Sequence, residues 1–244
     1  MNMLREEART FCATFAQKLN TNEHQGADIW IAPPFTTLRA VRDELNDFGI
    51  PLGAQNVHWE ESGAFTGEIS SAMLVEAGVS FVIVGHSERR QFFGETDETV
   101  SLRAKAAIDA GLDAIVCVGE LKEEFEAGKT EEVVLNQLNA SLAGLSPQHA
   151  EKLKIAYEPV WAIGTGLAAT PEIAANVHNL IRNYLVEKFP QRGPTIRLLY
   201  GGSTKPENIS ELCAQENING TLVGGCSLKP DMFYQLALNG LRAK

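Results

Sequence analysis

Lys154-Ile155-Ala156-Tyr157-Glu158-Pro159-Val160-Trp161-Ala162-Ile163-Gly164-Thr165-Gly166 begins as a short run of strand length and ends as an apolar segment with two glycines, with a carboxylate at the junction. The same short runs recur on both sides of it, at Ile29–Ala32, Pro51–Gln55, Phe81–Val84, Ala114–Val118, Ile196–Tyr200 and Thr221–Val223. Longer stretches of helical period separate them. That alternation is the signature of βα units and a parallel sheet. The repeating unit is too weakly self-similar for a solenoid, which leaves a β/α barrel or a doubly wound sheet.

Length favours the barrel. The chain has 244 residues, close to the ~250 at which a β/α barrel closes around one core. With 44% hydrophobic residues and no linker, residues 1–244 are expected to form a single domain. Ahead of the first strand, Leu4, Ala8, Phe11, Phe15 and Leu19 fall on one helical face, with Asn2 placed as its cap. Asp97 and Thr170-Pro171 read as helix starts, and Gly111 and Gly240 as stops. The expected order is therefore a helix followed by βα units, giving seven strands and eight helices. A regular eight-unit barrel would open with one more strand.

Charge and cysteines exclude several classes of function. With 21 Lys+Arg against 31 Asp+Glu, the formal charge is -10, which repels nucleic acid and anionic membranes. Cys12, Cys117, Cys213 and Cys226 show neither CxxC pairing nor metal-ligand spacing, as expected of reduced core thiols in a cytoplasmic protein. The amphipathic start, MNMLREEARTF, is not a secretory signal, and no apolar run is long enough to span a membrane.

In a parallel barrel the chemistry lies at the carboxyl ends of the strands. Glu158 stands at such an end, before a segment suited to a lid that expels water, so it is a candidate base. An isolated glutamate there would more often be an ion-pair partner. His86, in Gly85-His86-Ser87-Glu88-Arg89-Arg90, is placed to polarise a carbonyl or move a proton between oxygens. Glu88 has a supporting role, or is a structural partner of Arg89 or Arg90. His24, His58, His149 and His178 are expected to be structural, and no metal pattern is present. Gly201-Gly202-Ser203 and Gly224-Gly225 follow the last two strands, where backbone N–H groups can hold a phosphate.

Taken together, AYEPVWAIGTG, VIVGHSERR, CVGE, YGGS and TLVGGCSL, in this order and spacing, resemble the triosephosphate isomerase family over nearly the whole chain. The resemblance implies a TIM-type parallel β/α barrel acting on a small phosphorylated triose, with no cofactor and no metal. It implies Glu158 as the base, His86 as the electrophile, a role worked out for this family in general, and Glu88 in support. Ile163 would shield the base and Leu222 press on it, while the amides of Gly164, Ser203, Gly224 and Gly225 would hold the phosphate within a lid of Pro159–Gly166. The Val57–Glu68 loop resembles the family's dimer loop, implying a homo-oligomer. Relatives open with a strand carrying an asparagine and a lysine that reach the site, and here only Met1-Asn2 matches that opening. Lys18 is too far along the first helix to substitute. Loss of such a donor costs roughly 10²–10³ in rate, so reduced turnover is expected. The alternative is a non-catalytic barrel of the same descent that binds phosphorylated metabolites or serves in assembly or regulation.

Overall fold

The computed structural model describes residues 1–21, 23–163 and 169–243. Six strands form one parallel sheet in chain order: β1 (Gly53–Ala54), β2 (Phe81–Val84), β3 (Asp113–Val118), β4 (Leu153–Tyr157), β5 (Arg197–Tyr200) and β6 (Gly220–Thr221). Around them lie α1 (Arg5–Leu19), α2 (Leu38–Leu45), α3 (Ser71–Glu76), α4 (Ser87–Phe92), α5 (Asp97–Asp109), α6 (Lys122–Glu126), α7 (Thr130–Ser141), α8 (Pro171–Lys188), α9 (Ile209–Cys213) and α10 (Pro230–Leu241). This is the β/α barrel architecture expected from the alternation of strand and helix.

The counts differ for identifiable reasons. The Ile29–Ala32 run reaches the sheet through a single parallel bridge, Ile31 to Leu52, so six of the seven runs become strands. Ile31 N–H donates to Pro51 O at 3.1 Å and Ile31 O accepts from Gly53 N–H at 2.8 Å. The described residues hold ten helices rather than eight, because the connections after β2 and β3 each carry an extra short helix, α4 and α6.

Period-two alternation sorts the side chains into two layers. Val82, Val84, Val116, Val118, Ile155, Tyr157, Leu198 and Tyr200 pack with Phe11, Phe15, Val100 and Leu138 of the helices. Phe81, Ile83, Ile115, Cys117 and Ala156 form a separate cluster that contains no helix residue, which makes it the interior of the curled sheet. Trp30, Ala32, Leu199 and Leu222 join that interior only partly buried. Gly53 is required there, since a Cβ would lie 2.2 Å from the Phe81 ring.

Local chemistry explains the helix ends. Thr170 Oγ1 accepts from Ile173 N–H with Pro171 in the first turn, as expected. Thr96 rather than Asp97 caps α5, by a reciprocal pair of bonds with Thr99. Asn2 does not cap α1; Leu4 occupies that position, and Glu7 reaches back to its N–H at 2.7 Å. Gly111 (φ 88°) follows the end of α5, whereas Gly240 lies inside α10. Lys18 is paired with Asp231 on α10. Three of the four free cysteines are buried, and Cys226 is partly exposed. No described helix is long and apolar enough to cross a membrane.

Candidate active site

The carboxyl ends of β2, β3 and β4 converge on Glu158. Its Oε1 lies 3.0 Å from His86 Nε2, and its Oε2 accepts the Ser87 N–H at 2.9 Å. The carboxylate is 3% exposed and the imidazole 28%. Two residues distant in sequence, each at a strand end, are thus in direct contact.

The tautomer follows from the hydrogen bonds. His86 Nδ1 accepts the Glu88 N–H at 3.2 Å, so the ring proton resides on Nε2 and points at Glu158. A neutral imidazole donating from Nε2 can polarise an oxygen without first giving up a formal charge. Burial pushes the Glu158 carboxyl up from the ordinary range, opposed by His86, the Ser87 amide, Cys117 and Arg90. Desolvation also drives the neighbouring Cys117 thiol upward, and Glu158 adds to it. A carboxylate of raised basicity beside a neutral donor is suited to taking a proton from carbon and returning one to oxygen.

Backbone proximity fixes Glu158 from both sides. A Cβ on Gly119, just past β3, would lie 1.8 Å from Glu158 O, and one on Gly201, just past β5, would lie 2.7 Å from Glu158 Cγ. Glu158 N–H in turn donates to Val118 O at 2.8 Å. Side chains at those two glycine positions would displace the carboxylate.

Behind the pair lies a charged framework that motif reading missed. Gly85, immediately before His86, donates its N–H to Glu95 Oε2 at 3.0 Å, and its carbonyl accepts from Arg90 Nε at 2.8 Å. Glu95, 6% exposed, also accepts from Arg89 Nε at 2.5 Å. Glu120, fully buried past the end of β3, accepts the Tyr157 hydroxyl at 3.0 Å and Trp161 Nε1 at 2.8 Å. Trp161, at the start of the expected lid, also stacks on Phe125 of α6 at 4.2 Å. Glu120 had one visible signal, since it sits one glycine past a strand as Glu158 sits at a strand end. Glu95 and Arg90 had none, because charges around a short helix look like a solvated face.

The other expected residues are distributed as follows. The Glu88 carboxylate is 67% exposed with Oε2 4.0 Å from His86 Nδ1, so its backbone N–H makes the close contact. Leu222 belongs to the barrel interior and Ser203 is partly buried. Gly224 and Gly225 are exposed at the start of a 3₁₀ turn, with open space where a Cβ would stand. Ile163 is partly buried, its N–H donating to Val160 O at 3.2 Å. Gly164 and the rest of the lid beyond Ile163 lie outside the described residues. His178 is wholly buried, with Nδ1 2.8 Å from Asn217 O, and burial pulls it down to about 4. Among the described residues no cluster of His, Cys, Asp and Glu is arranged to hold a metal. A recess of about 440 Å³, lined in part by Trp30, Lys154 and Arg197, opens at the opposite end of the strands. Its cations are engaged, Lys154 with Asp113 at 2.7 Å and Arg197 with Asp28 at 2.5 Å.

The likeness to known proteins extends over nearly the whole chain. The family model described as triosephosphate isomerase matches residues 1–239. A triosephosphate isomerase of Solibacter usitatus is 51% identical over 231 residues, covering 94% of this chain and 92% of its own. One from Geobacter metallireducens is 57% identical over 207 residues, covering 84% of this chain and 82% of its own. The crystal structure of triosephosphate isomerase from Bartonella henselae superposes with a TM-score of 0.85 at 40% identity, covering 100% of this chain and 96% of that one.

Proposed function

Because this chain belongs to the triosephosphate isomerase family and is an isomerase acting on a small phosphorylated triose, we propose that Glu158 and His86 together interconvert dihydroxyacetone phosphate and glyceraldehyde 3-phosphate. Glu158 takes a proton from the carbon next to the carbonyl. His86 donates from Nε2 to the oxygen on which negative charge develops, forming an enediolate. The hydroxyl proton on the first oxygen then passes by way of His86 to the former carbonyl oxygen, and return of the other proton from Glu158 to the adjacent carbon completes the isomerisation. No net redox change occurs, and substrate and product have the same composition.

The 3.0 Å contact between Glu158 Oε1 and His86 Nε2 carries this reading. It brings a buried base and a neutral donor within reach of two neighbouring substrate atoms. The amides of Ser203, Gly224 and Gly225 hold the phosphate at the open ends of the last strands. Ile163 covers the base, Leu222 supports it from the interior, and Glu88 supports His86 through its backbone N–H.

A coupled assay of triose phosphate interconversion, with Glu158→Gln purified in parallel, tests the assignment. Turnover should fall by roughly 10³-fold or more, the scale of a positioned base. Equal rates for the two proteins would remove Glu158 from the chemistry.

The chain also acts as a homo-oligomer in the cytoplasm under this proposal. Phe65 of the Val57–Glu68 loop is 42% exposed, and Phe92, Phe93 and Met73 are 72%, 67% and 55% exposed, an apolar set suited to burial against a second copy. Four free thiols fit a reducing compartment. Light scattering at micromolar concentration should give at least a dimer, and a monomer alone would exclude the contact.

A further inference from the structure

We infer that Arg90 is a positioning residue for the Glu158–His86 pair, its guanidinium fork tying the end of the strand that carries His86 to the end of the strand that adjoins Glu158. Arg90 Nε donates to Gly85 O at 2.8 Å, one residue before His86, and Nη2 donates to Cys117 O at 3.1 Å on β3. Nη1 donates to Asp97 Oδ1 at 2.5 Å, and Nη2 also reaches Ser141 Oγ at 3.3 Å. Ser141 Oγ donates to the same Asp97 oxygen at 3.1 Å, which closes the ring on the far side. The side chain is 17% exposed.

The tie acts on both reacting groups. Gly85 and His86 are consecutive, and the Arg90 N–H itself donates to His86 O at 3.1 Å. Cys117 precedes Val118, whose carbonyl accepts the Glu158 N–H at 2.8 Å. The two strand ends that set the 3.0 Å contact are therefore cross-linked by one planar cation. Gly85 makes room for it: φ is +71°, and a Cβ would stand 3.1 Å from Arg90 Nη2 and 2.9 Å from Val100 Cγ2. A lysine supplies a point charge with no fixed fork, so it cannot satisfy both carbonyls in this geometry.

Electrostatics adds a second readout. The groups facing Glu158 are His86 and Arg90 from the β2 end and α4, and Cys117 from β3. Gly201 of the β5 end is uncharged. Arg90 in turn faces Asp97 from α5 and Ser141 from α7, with Glu95 behind Gly85. Arg90 opposes the rise that burial imposes on Glu158, so removing the cation should move the acid limb of kcat/KM to higher pH.

This inference rests on Glu158 being the base, and the test separates the two. Turnover and pH profiles are measured for wild type, Arg90→Lys, Arg90→Gln and Glu158→Gln. Arg90→Lys keeps the charge and loses the fork: kcat should fall about 10-fold or more with KM within about 3-fold, from misplacement alone, and the acid limb should stay. Arg90→Gln should lose at least as much kcat and raise the acid limb by on the order of 0.5–1 pH unit. If Arg90→Gln does not fold, the kcat of Arg90→Lys decides the matter by itself. Wild-type kcat in Arg90→Lys, or loss of thermal stability in both variants without the change in kcat, would overturn the inference while Glu158→Gln stays inactive. Full turnover in Glu158→Gln would overturn both readings.

Discussion

The two sides of this barrel are held in different ways. From β2 to β5 the strands are long and fully paired, Ala114–Val118 against Leu153–Tyr157 and Lys154–Tyr157 against Arg197–Tyr200. At the other side, β5 and β6 pair only through Leu199–Gly220 and Tyr200–Thr221, and the Ile29–Ala32 run adds one bridge. The interior residues follow suit: Ile115, Cys117 and Ala156 are buried, while Trp30, Leu199 and Leu222 are half-covered. The Glu158–His86 pair and its charged framework belong to the paired side, and the exposed glycines expected to hold phosphate belong to the other. A proton transfer needs two groups held to a fraction of an ångström. Phosphate recognition by backbone amides needs open space instead.

The sharpest way to break this contrast is Gly119→Ala. A methyl group 1.8 Å from Glu158 O forces β3 and β4 apart beneath Glu158. Stability should fall by more than about 4 kcal/mol, or the protein should fail to accumulate folded. Near-normal thermal unfolding would show that the paired side is more pliant than its geometry implies. Gly225→Ala is the matching change on the open side, where nothing stands within 4 Å, and it should alter stability by no more than about 0.5 kcal/mol.

Core truncations give a finer scale. Ile155, fully buried, should cost about 2–5 kcal/mol as Ile155→Ala. Leu222→Ala, in the half-covered interior, should cost about 1 kcal/mol, since less apolar surface leaves water there on folding. Equal costs in urea denaturation would mean that the two sides pack alike.

Acid probes the packing between α8 and its neighbours. Burial lowers His178 to about 4 from 6.5, so the unfolded chain binds its proton first as pH falls. The neutral ring's contribution is intact above about 6.5 and is lost as pH falls toward 4, by ~3 kcal/mol in all. Glu158, raised by burial, has the opposite slope, since the folded state binds its proton more readily. The His178 effect is therefore measured as the difference between wild type and His178→Gln across that window. A pH-independent difference would contradict the buried, neutral state.

The sequence carried the paired side well and the open side poorly. Phe81–Val84 and the run ending at Tyr157 are apolar and β-branched enough to read as strands, and both lead directly into a chemical motif. Ile29–Ala32 has the same composition yet makes one bridge, because strand status depends on what lies beside a run as well as on its own residues. Asn2 was the better capping residue by type, but Glu7 reached the Leu4 N–H instead. Arg90 and Glu95 were illegible as framework because a charge reveals nothing of its burial until the chain has folded. The motifs EPVWAIGTG and GHSERR were legible because they place unlike chemistry at strand ends.

Solvent exchange tests the central claim most directly. Dihydroxyacetone phosphate is converted by this chain in deuterium oxide, and the isotope on the two carbons that exchange hydrogen is read by NMR. A proton taken up by Glu158 should be diluted by solvent, so deuterium should enter the product and the recovered substrate, and both incorporations should vanish in Glu158→Gln. Product formed without deuterium, or incorporation unchanged in that variant, would contradict a proton carried by this carboxylate.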